Sequence, residues 1–338
     1  MPLPFILGAL AVGTTVLGVA GHSVAKDTNE EAQRIARKAE KAYDDAKQSL
    51  ELSQQSTEKS LVELGYLKKE VLETSVNQFI RAYDRIKDIK LSQSIGLSEI
   101  SNFTIDKQEV IELQEMSNIY GSAFSGGLTG AATGAVIALA ASGSLPIVTG
   151  VLSTAGSALM LGQVGIATSL AGSALSFGAA MTPLSAVVAP VVFFSAISSS
   201  MKADENLEKA RVMEAEANVA IEKMKTSQMI SDAIGERADM FNNLLEELNT
   251  MFSRCTQLLD EITRDKVTKF GNKITAKNFT QDELKLIATT RSLAGAVKSV
   301  IDTPILNSDG NITSDSEEFY HNTTAQLPNF ERAARDFY

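Results

Sequence analysis

A run of 86 successive residues, 116–201, contains no Asp, Glu, Lys or Arg, and it constrains the fold more than any other feature of the chain. As a single helix this uncharged run would extend about 130 Å, whereas the hydrocarbon core of a bilayer is about 30 Å thick. The run must therefore fold back on itself. Proline and glycine mark the breaks and predict helices over residues 121–142, 147–162, 165–181 and 184–200.

The uncharged run can be disordered, buried in a soluble core or buried in a membrane. Its content of Ala, Val, Leu and Ile argues against disorder, because disordered segments are rich in polar and charged residues. A helix on the surface of a soluble protein needs a polar stripe, and this run offers only Ser, Thr, Asn118 and Gln163. Burial in a membrane is the favoured interpretation, and a hairpin buried inside a soluble helical bundle is the alternative.

Glycine is concentrated in the uncharged run, which holds 12 of the 22 glycines of the chain. In a water-soluble helix each glycine costs about 1 kcal/mol relative to alanine. In lipid, by contrast, small residues let two helices approach closely, and this packing drives their association. A helix-contact face is therefore predicted at Gly126, Gly130, Gly134 and Ala138.

The uncharged run is not a typical resident membrane segment. Such proteins usually carry Trp and Tyr at the interfaces between lipid and water, but this chain has no Trp, and small residues dominate the run. The composition therefore predicts an amphitropic protein that folds in the cytoplasm and then associates with a membrane. Secretion is the alternative.

A second apolar segment, residues 1–25, precedes the first charged residue, Lys26. It lacks the positive start of a signal peptide, and its apolar part approaches the 20 residues of a membrane span. Retention as an N-terminal apolar segment, with a transmembrane role, is favoured over cleavage.

The remaining sequence is rich in charge, because all 31 basic and 41 acidic residues fall outside these two segments. Capping boxes that begin at Thr28 and Thr280 predict two helix starts. A short helix is expected over 107–120 and another over 281–302. Asp309-Gly310 predicts the turn of a small hairpin in a polar tail.

These patterns predict an all-α fold, in which long charged helices form a bundle or coiled-coil stalk around a Gly/Ala/Ser-rich hydrophobic hairpin region. The predicted parts are the N-terminal apolar segment 1–25, a charged helical region 26–115, the membrane-hairpin region 116–201, a heptad helix 202–265, and a C-terminal helix with a short polar tail 266–338.

Heptad spacing in the second charged helix predicts a packing seam for a partner helix. The heptad seam consists of Phe241, Leu244, Leu248, Met251, Cys255, Leu258 and Ile262. The core of a bundle within one chain is the favoured environment, and a coiled coil between copies is the alternative.

The sequence offers no constellation for catalysis. It has two histidines and one cysteine, and it lacks the glycine-rich phosphate loop that ends in Lys-Ser or Lys-Thr. We therefore predict no catalytic, cofactor-binding or metal-ligating residue, and no enzyme activity. The net charge of −10 argues against a nucleic-acid partner.

The order of the parts resembles an uncharacterised group of bacterial proteins with a glycine-rich central membrane segment. Besides the centre, the resemblance rests on 235-GERADMFNNLLEELNTMF-252 and 303-TPILNSDGNITSDSEEF-319. In layout the chain also resembles helical pore formers, namely the haemolysin BL and cytolysin A group and apolipoprotein L, which place an uncharged hairpin between long helices.

The resulting prediction is a protein that inserts helices into a lipid bilayer, forms homo-oligomers and permeabilises the membrane, as a toxin or defence effector. A membrane-anchored coiled-coil scaffold or membrane-remodelling protein, whose charged helices bind a protein partner, is the first alternative. A soluble helical bundle with a buried hairpin is the second.

Overall fold

The computed structural model describes residues 21–86, 100–125, 136–137, 139–141, 143, 166–168, 175–177, 203–271, 274–307 and 310–337. Six α-helices carry this part of the chain: α1 Gly21–Val71, α2 Asn77–Tyr83, α3 Lys107–Ser125, α4 Ala203–Phe270, α5 Gln281–Asp302 and α6 Ser314–Arg335. A π-helical turn, Leu72–Val76, joins α1 to α2, and 3-10 turns lie at Ser101–Phe103 and Ala276–Asn278. The predicted all-α fold is confirmed.

One short antiparallel pair interrupts the helical pattern. Strand β1, Ile166–Thr168, pairs with β2, Leu175–Phe177, with Ala167 opposite Ser176. The predicted helix over 165–181 is therefore wrong for these six residues. β-branched Ile166 and Thr168 favour an extended backbone, whereas the helix prediction relied on the glycine and proline breaks on either side.

The chain divides into two compact units. Unit 1 contains α1 as far as Gln48 and α4 as far as Lys225. Alanines at positions 32, 36 and 39 of α1 and at 210, 217 and 220 of α4 are buried. The Asn206 amide donates to the Asn29 side-chain oxygen at 2.8 Å, so a contact joins the two helices within about 12 Å of the first residue of each.

Unit 2 contains the rest of α1 and α4 together with α2, α3, α5 and α6. Within it the stretch from α1 through α2 runs parallel to α4, because Thr57 of α1 donates to the Ser231 carbonyl at 2.8 Å and Arg85, just after α2, contacts Asp260 of α4 at 2.5 Å. The contacting residues are 174 and 175 positions apart in sequence. A nearly constant separation is what two parallel helices show, because both advance in the same direction.

Helices α5 and α6 complete unit 2. The predicted capping box begins α5, since Glu283 N–H donates to Thr280 Oγ1 at 3.2 Å and Thr280 N–H donates to the Glu283 carboxylate at 2.7 Å. Lys266 pairs with Glu283 at 2.9 Å, which places the start of α5 beside the end of α4. Arg237 pairs with Glu317 at 3.3 Å and brings the start of α6 to α4.

Two boundaries differ from the sequence prediction. Helix α1 begins at Gly21, so Thr28 lies inside it rather than at its start. The expected polar tail instead forms α6, which is capped by Thr313 and contains Pro328. The buried face of α6 mixes Thr323 with Phe330, so it has no clear apolar period. The predicted hairpin before it is confirmed by the antiparallel bridge between Leu306 and Ile312.

Candidate functional site

A short piece of the uncharged run packs into unit 2. We call Val136, Ile137, Leu139, Ala140 and Ala141 the docked segment; these residues are helical and buried. They belong to the same hydrophobic core cluster as α1, α4 and α5, apart from Val136, which contacts Gly65 of α1. The docked segment is therefore a described part of the run, beyond the end of α3, that packs against the charged helices.

Lys68 of α1 holds the end of the docked segment. Its side chain is fully buried. The amine donates to the carbonyl oxygens of Leu139 at 3.2 Å and Ala140 at 3.3 Å, and to that of Ile301, near the end of α5, at 3.1 Å. One side chain thus satisfies backbone acceptors in the last turns of two helical segments, where carbonyls lack partners in the helix.

The next carbonyl of the docked segment is bound by backbone. Ala141 O accepts the N–H groups of Ile305 at 2.8 Å and Leu306 at 3.0 Å. Gly143 then adopts φ +64°, and a side chain there would meet the backbone of Asp302 and Thr303. Glycine in the left-handed conformation commonly ends a helix, and here it also permits close approach to the end of α5.

Gly65 lets the docked segment approach α1 closely, because it has no side chain. A Cβ atom on Gly65 would lie 2.2 Å from Val136 O and 2.6 Å from Val136 Cγ1. Gly65 lies one turn before Lys68 on the same helix. The two residues therefore act at opposite ends of the docked segment, Gly65 by providing space and Lys68 by providing hydrogen-bond donors.

Charge near Lys68 comes from α5 and α3. Burial lowers the pKa of Lys68 to about 7, while the negative charge of Asp302 opposes this shift. Burial raises the pKa of the Asp302 carboxyl, and Lys298, 2.7 Å away, counteracts that effect. Lys298 also pairs with Glu112 at 3.2 Å. The docked segment itself contributes no titratable group.

The lowered pKa of Lys68 predicts a pH dependence of stability. An unfolded lysine has a pKa of about 10.4, so the unfolded chain binds this proton more tightly and stability falls as the pH drops from about 10.4 to 7. Below pH 7 the contribution of Lys68 to the free energy of unfolding no longer changes with pH. Relative to Lys68→Met, we expect the free energy of unfolding of the parent to rise by about 2 kcal/mol from pH 7 to pH 9.

Urea denaturation followed by circular dichroism at both pH values measures this difference. Lys69→Met, which removes the neighbouring lysine paired with Glu73 at 2.9 Å, serves as the control and should keep the slope of the parent. Equal slopes in the parent and Lys68→Met would contradict the prediction.

The predicted helix-contact face belongs to the uncharged run. Gly126, Gly130, Gly134 and Ala138 lie outside the described residues, so the helix-contact face stays a prediction. Most of 116–201 and residues 1–20 also lie outside them. Within the described ranges, no helix is both long and apolar enough to cross a membrane.

The heptad seam lies in the core of unit 2. Five of its members are buried, namely Phe241, Leu244, Leu248, Met251 and Cys255, while Leu258 and Ile262 are partly buried against the same core. Burial raises the pKa of the Cys255 thiol to about 12, which makes it unreactive at neutral pH. In this structure the seam packs within its own chain.

Sequence reasoning missed Lys68, although a signal existed. Leu61, Leu64 and Val71 are all buried on α1, and Lys68 falls at helical spacing among them. A lysine on an apolar helix face indicates a specific acceptor, because an unpartnered buried amine is costly. The acceptors here are backbone carbonyls, which no side-chain pattern reveals.

Other chemistry is not evident. In the described part of the chain, no group of three or more His, Cys, Asp and Glu side chains could hold a metal ion. Comparisons with protein-family models, curated proteins and solved structures find no match. The resemblance to bacterial membrane proteins and helical pore formers therefore stays a prediction from the sequence.

Proposed function

We propose that this protein inserts its uncharged run into a lipid bilayer, assembles with other copies and permeabilises the membrane, as a toxin or cell-defence effector. The observation that carries the proposal is the contact between Asn29 and Asn206 near the starts of α1 and α4. Helix α4 begins just after the apolar run 116–201, and α1 begins within the last residues of the apolar segment 1–25. Both apolar stretches are thus joined to unit 1 near the same end of its helix pair. A protein that meets a membrane with one end requires this arrangement.

The docked segment supports a second feature of the proposal. Before insertion, the protein has a state in which part of the run is buried in unit 2 instead of in lipid. Unit 2 holds it by packing and by hydrogen bonds to backbone carbonyls of Leu139, Ala140 and Ala141. No side-chain ion pair ties the segment down, because the run has no charged residue. The segment can therefore leave without carrying charge into lipid, where charge is costly.

Dye-filled vesicles test the proposal. The purified full chain is added to vesicles of zwitterionic lipid and of mixed zwitterionic and anionic lipid, over a range of pH, and dye release and cosedimentation are measured together. We expect dye release that increases with bound protein. Binding without release under every condition would remove the permeabilising activity and leave an anchor.

The predicted contact face gives a variant with a large expected effect. Gly130→Leu places a bulky side chain where close helix packing is proposed, and we expect it to abolish both oligomers and dye release. Ala132→Leu, on the opposite side of the same predicted helix, is the matched control and should retain both. Crosslinked oligomers of unchanged size in Gly130→Leu would refute the proposed face.

Two alternatives are favoured by specific observations. The shared end of α1 and α4 also suits a membrane-anchored scaffold, which would bind vesicles without releasing dye. Burial of the docked segment suits a helical bundle that never leaves solution. Such a protein would stay in the supernatant when cell extracts are centrifuged, whereas an inserted protein stays in the pellet after a carbonate wash.

A further inference from the structure

Lys68 occupies a position where packing alone would favour an apolar residue. It lies on the buried face of α1 between Leu64 and Val71, and both neighbours are fully buried. Leucine there would continue the face without the cost of desolvating an amine. A protonated lysine instead offers three N–H donors, and three carbonyl oxygens lie within 3.1–3.3 Å of its nitrogen.

The three acceptors belong to segments that are far apart in the chain. Leu139 and Ala140 are in the docked segment, and Ile301 is in α5. Helix ends of this kind carry partial negative charge, so a positively charged donor suits both. Because α1 supplies the donor, Lys68 ties the docked segment to two helices of unit 2 at a single point.

The hydrogen bonds from Lys68 can be replaced when the segment leaves. In a helix that continued past Ala141, the carbonyls of Leu139 and Ala140 would accept the N–H groups four residues later. Gly143, at φ +64°, prevents this continuation in the docked form. Release followed by extension of the helix to Ser144 therefore leaves the carbonyls of Leu139 and Ala140 paired, as lipid requires.

We propose that Lys68 is an autoinhibitory clamp, which fastens the docked segment to α1 and α5 and must let go before the uncharged run can leave unit 2. Its opening exposes the segment whether or not lipid is present. Any effect of this opening on membrane insertion rests on the proposed function. Asp302, Lys298 and Glu112 surround the clamp from α5 and α3 and remain with unit 2 when it opens.

Thiol labelling of the full chain tests the clamp without lipid. Val136→Cys places a near-isosteric thiol in the docked segment, and native Cys255, buried in the core, reports on the integrity of unit 2. Maleimide labelling is mapped to each cysteine by peptide mass. Adding Lys68→Met should raise the labelling rate of Cys at position 136 about tenfold or more, while Cys255 stays protected.

Lys69→Met in the same background is the matched control and should label like the parent. An unchanged rate at position 136 in Lys68→Met would overturn the clamp. Labelling of both cysteines would overturn it as well, because Lys68 would then support the whole unit rather than the docked segment.

Dye release from vesicles separates the clamp from the proposed function. Faster labelling at position 136 in Lys68→Met together with faster dye release supports both. Faster labelling without dye release, for the parent and the variant alike, keeps the clamp and removes the permeabilising activity. Dye release with no labelling difference keeps the activity and removes the clamp.

Discussion

Gly65→Ala is expected to expel the docked segment from unit 2. The new Cβ atom would lie 2.2 Å from the carbonyl oxygen of Val136, and backbone at that distance cannot turn aside as a side chain can. Overpacking of this kind costs about 1–3 kcal/mol, so we expect amide hydrogen exchange of residues 136–143 to speed up by about 10- to 100-fold. Exchange in α5 and in the heptad seam should stay slow.

Gly235→Ala is the matched control for this prediction. It is also a helical glycine in unit 2, but its added Cβ would lie 3.2 Å from the Thr57 hydroxyl oxygen and 3.4 Å from Thr57 Cα, so a shift of a few tenths of an ångström would accommodate it. Alanine also favours a helix over glycine. Gly235→Ala should therefore leave exchange of residues 136–143 unchanged. Equal protection in Gly65→Ala and the parent would show that the docked segment does not depend on this contact.

Gly295→Ala is expected to destabilise unit 2 more than any other glycine substitution described here. The added Cβ atom would lie 1.7 Å from Phe103 O and 2.9 Å from the Ile105 side chain. Arg291, one turn earlier on α5, donates to Ile105 O at 3.1 Å and holds the same stretch in place. Neither α5 nor the stretch from Phe103 to Ile105 can shift easily to make room for the methyl group. We therefore expect a loss of about 3 kcal/mol in the free energy of unfolding.

Urea denaturation followed by circular dichroism measures this loss as a lower midpoint. Gly271→Ala is the control, because its φ of +73° strains an alanine while no atom lies within 4 Å of the added Cβ. That strain costs about 1–2 kcal/mol. A midpoint for Gly295→Ala at or above that of Gly271→Ala would show that the stretch from Phe103 to Ile105 moves freely away from α5.

The success of the helix predictions depended on whether a helix buries an apolar face. Helix α5 was placed correctly because a capping box precedes a regular buried face, and α3 begins at the predicted residue 107. Helix α6 was missed because its buried residues include Ser316 and Thr323, whose polarity hides the period. The start of α1 was misplaced because a capping box inside a continuous helix has the same sequence as one at its start.

The candidate site was less predictable than the fold. Lys68 binds backbone oxygens that come together only when α1, α5 and the docked segment pack. Sequence reasoning concentrated on the small-residue face at Gly126, Gly130 and Gly134, because spacing within one helix is visible in sequence. The close approach between Gly65 and Val136 joins two helices, and nothing in the spacing of either residue indicates it.

Under the proposed function, the contact of Asn29 with Asn206 also limits how the chain can cross a bilayer. If residues 1–25 and 116–201 both enter a bilayer, α1 and α4 emerge from the same face of it. The charged region 26–115 does not cross the bilayer, so the run begins on the face from which α1 emerges. The run therefore leaves from and returns to one side, and it must cross an even number of times, whereas a single crossing by residues 1–25 would leave Met1 on the opposite side.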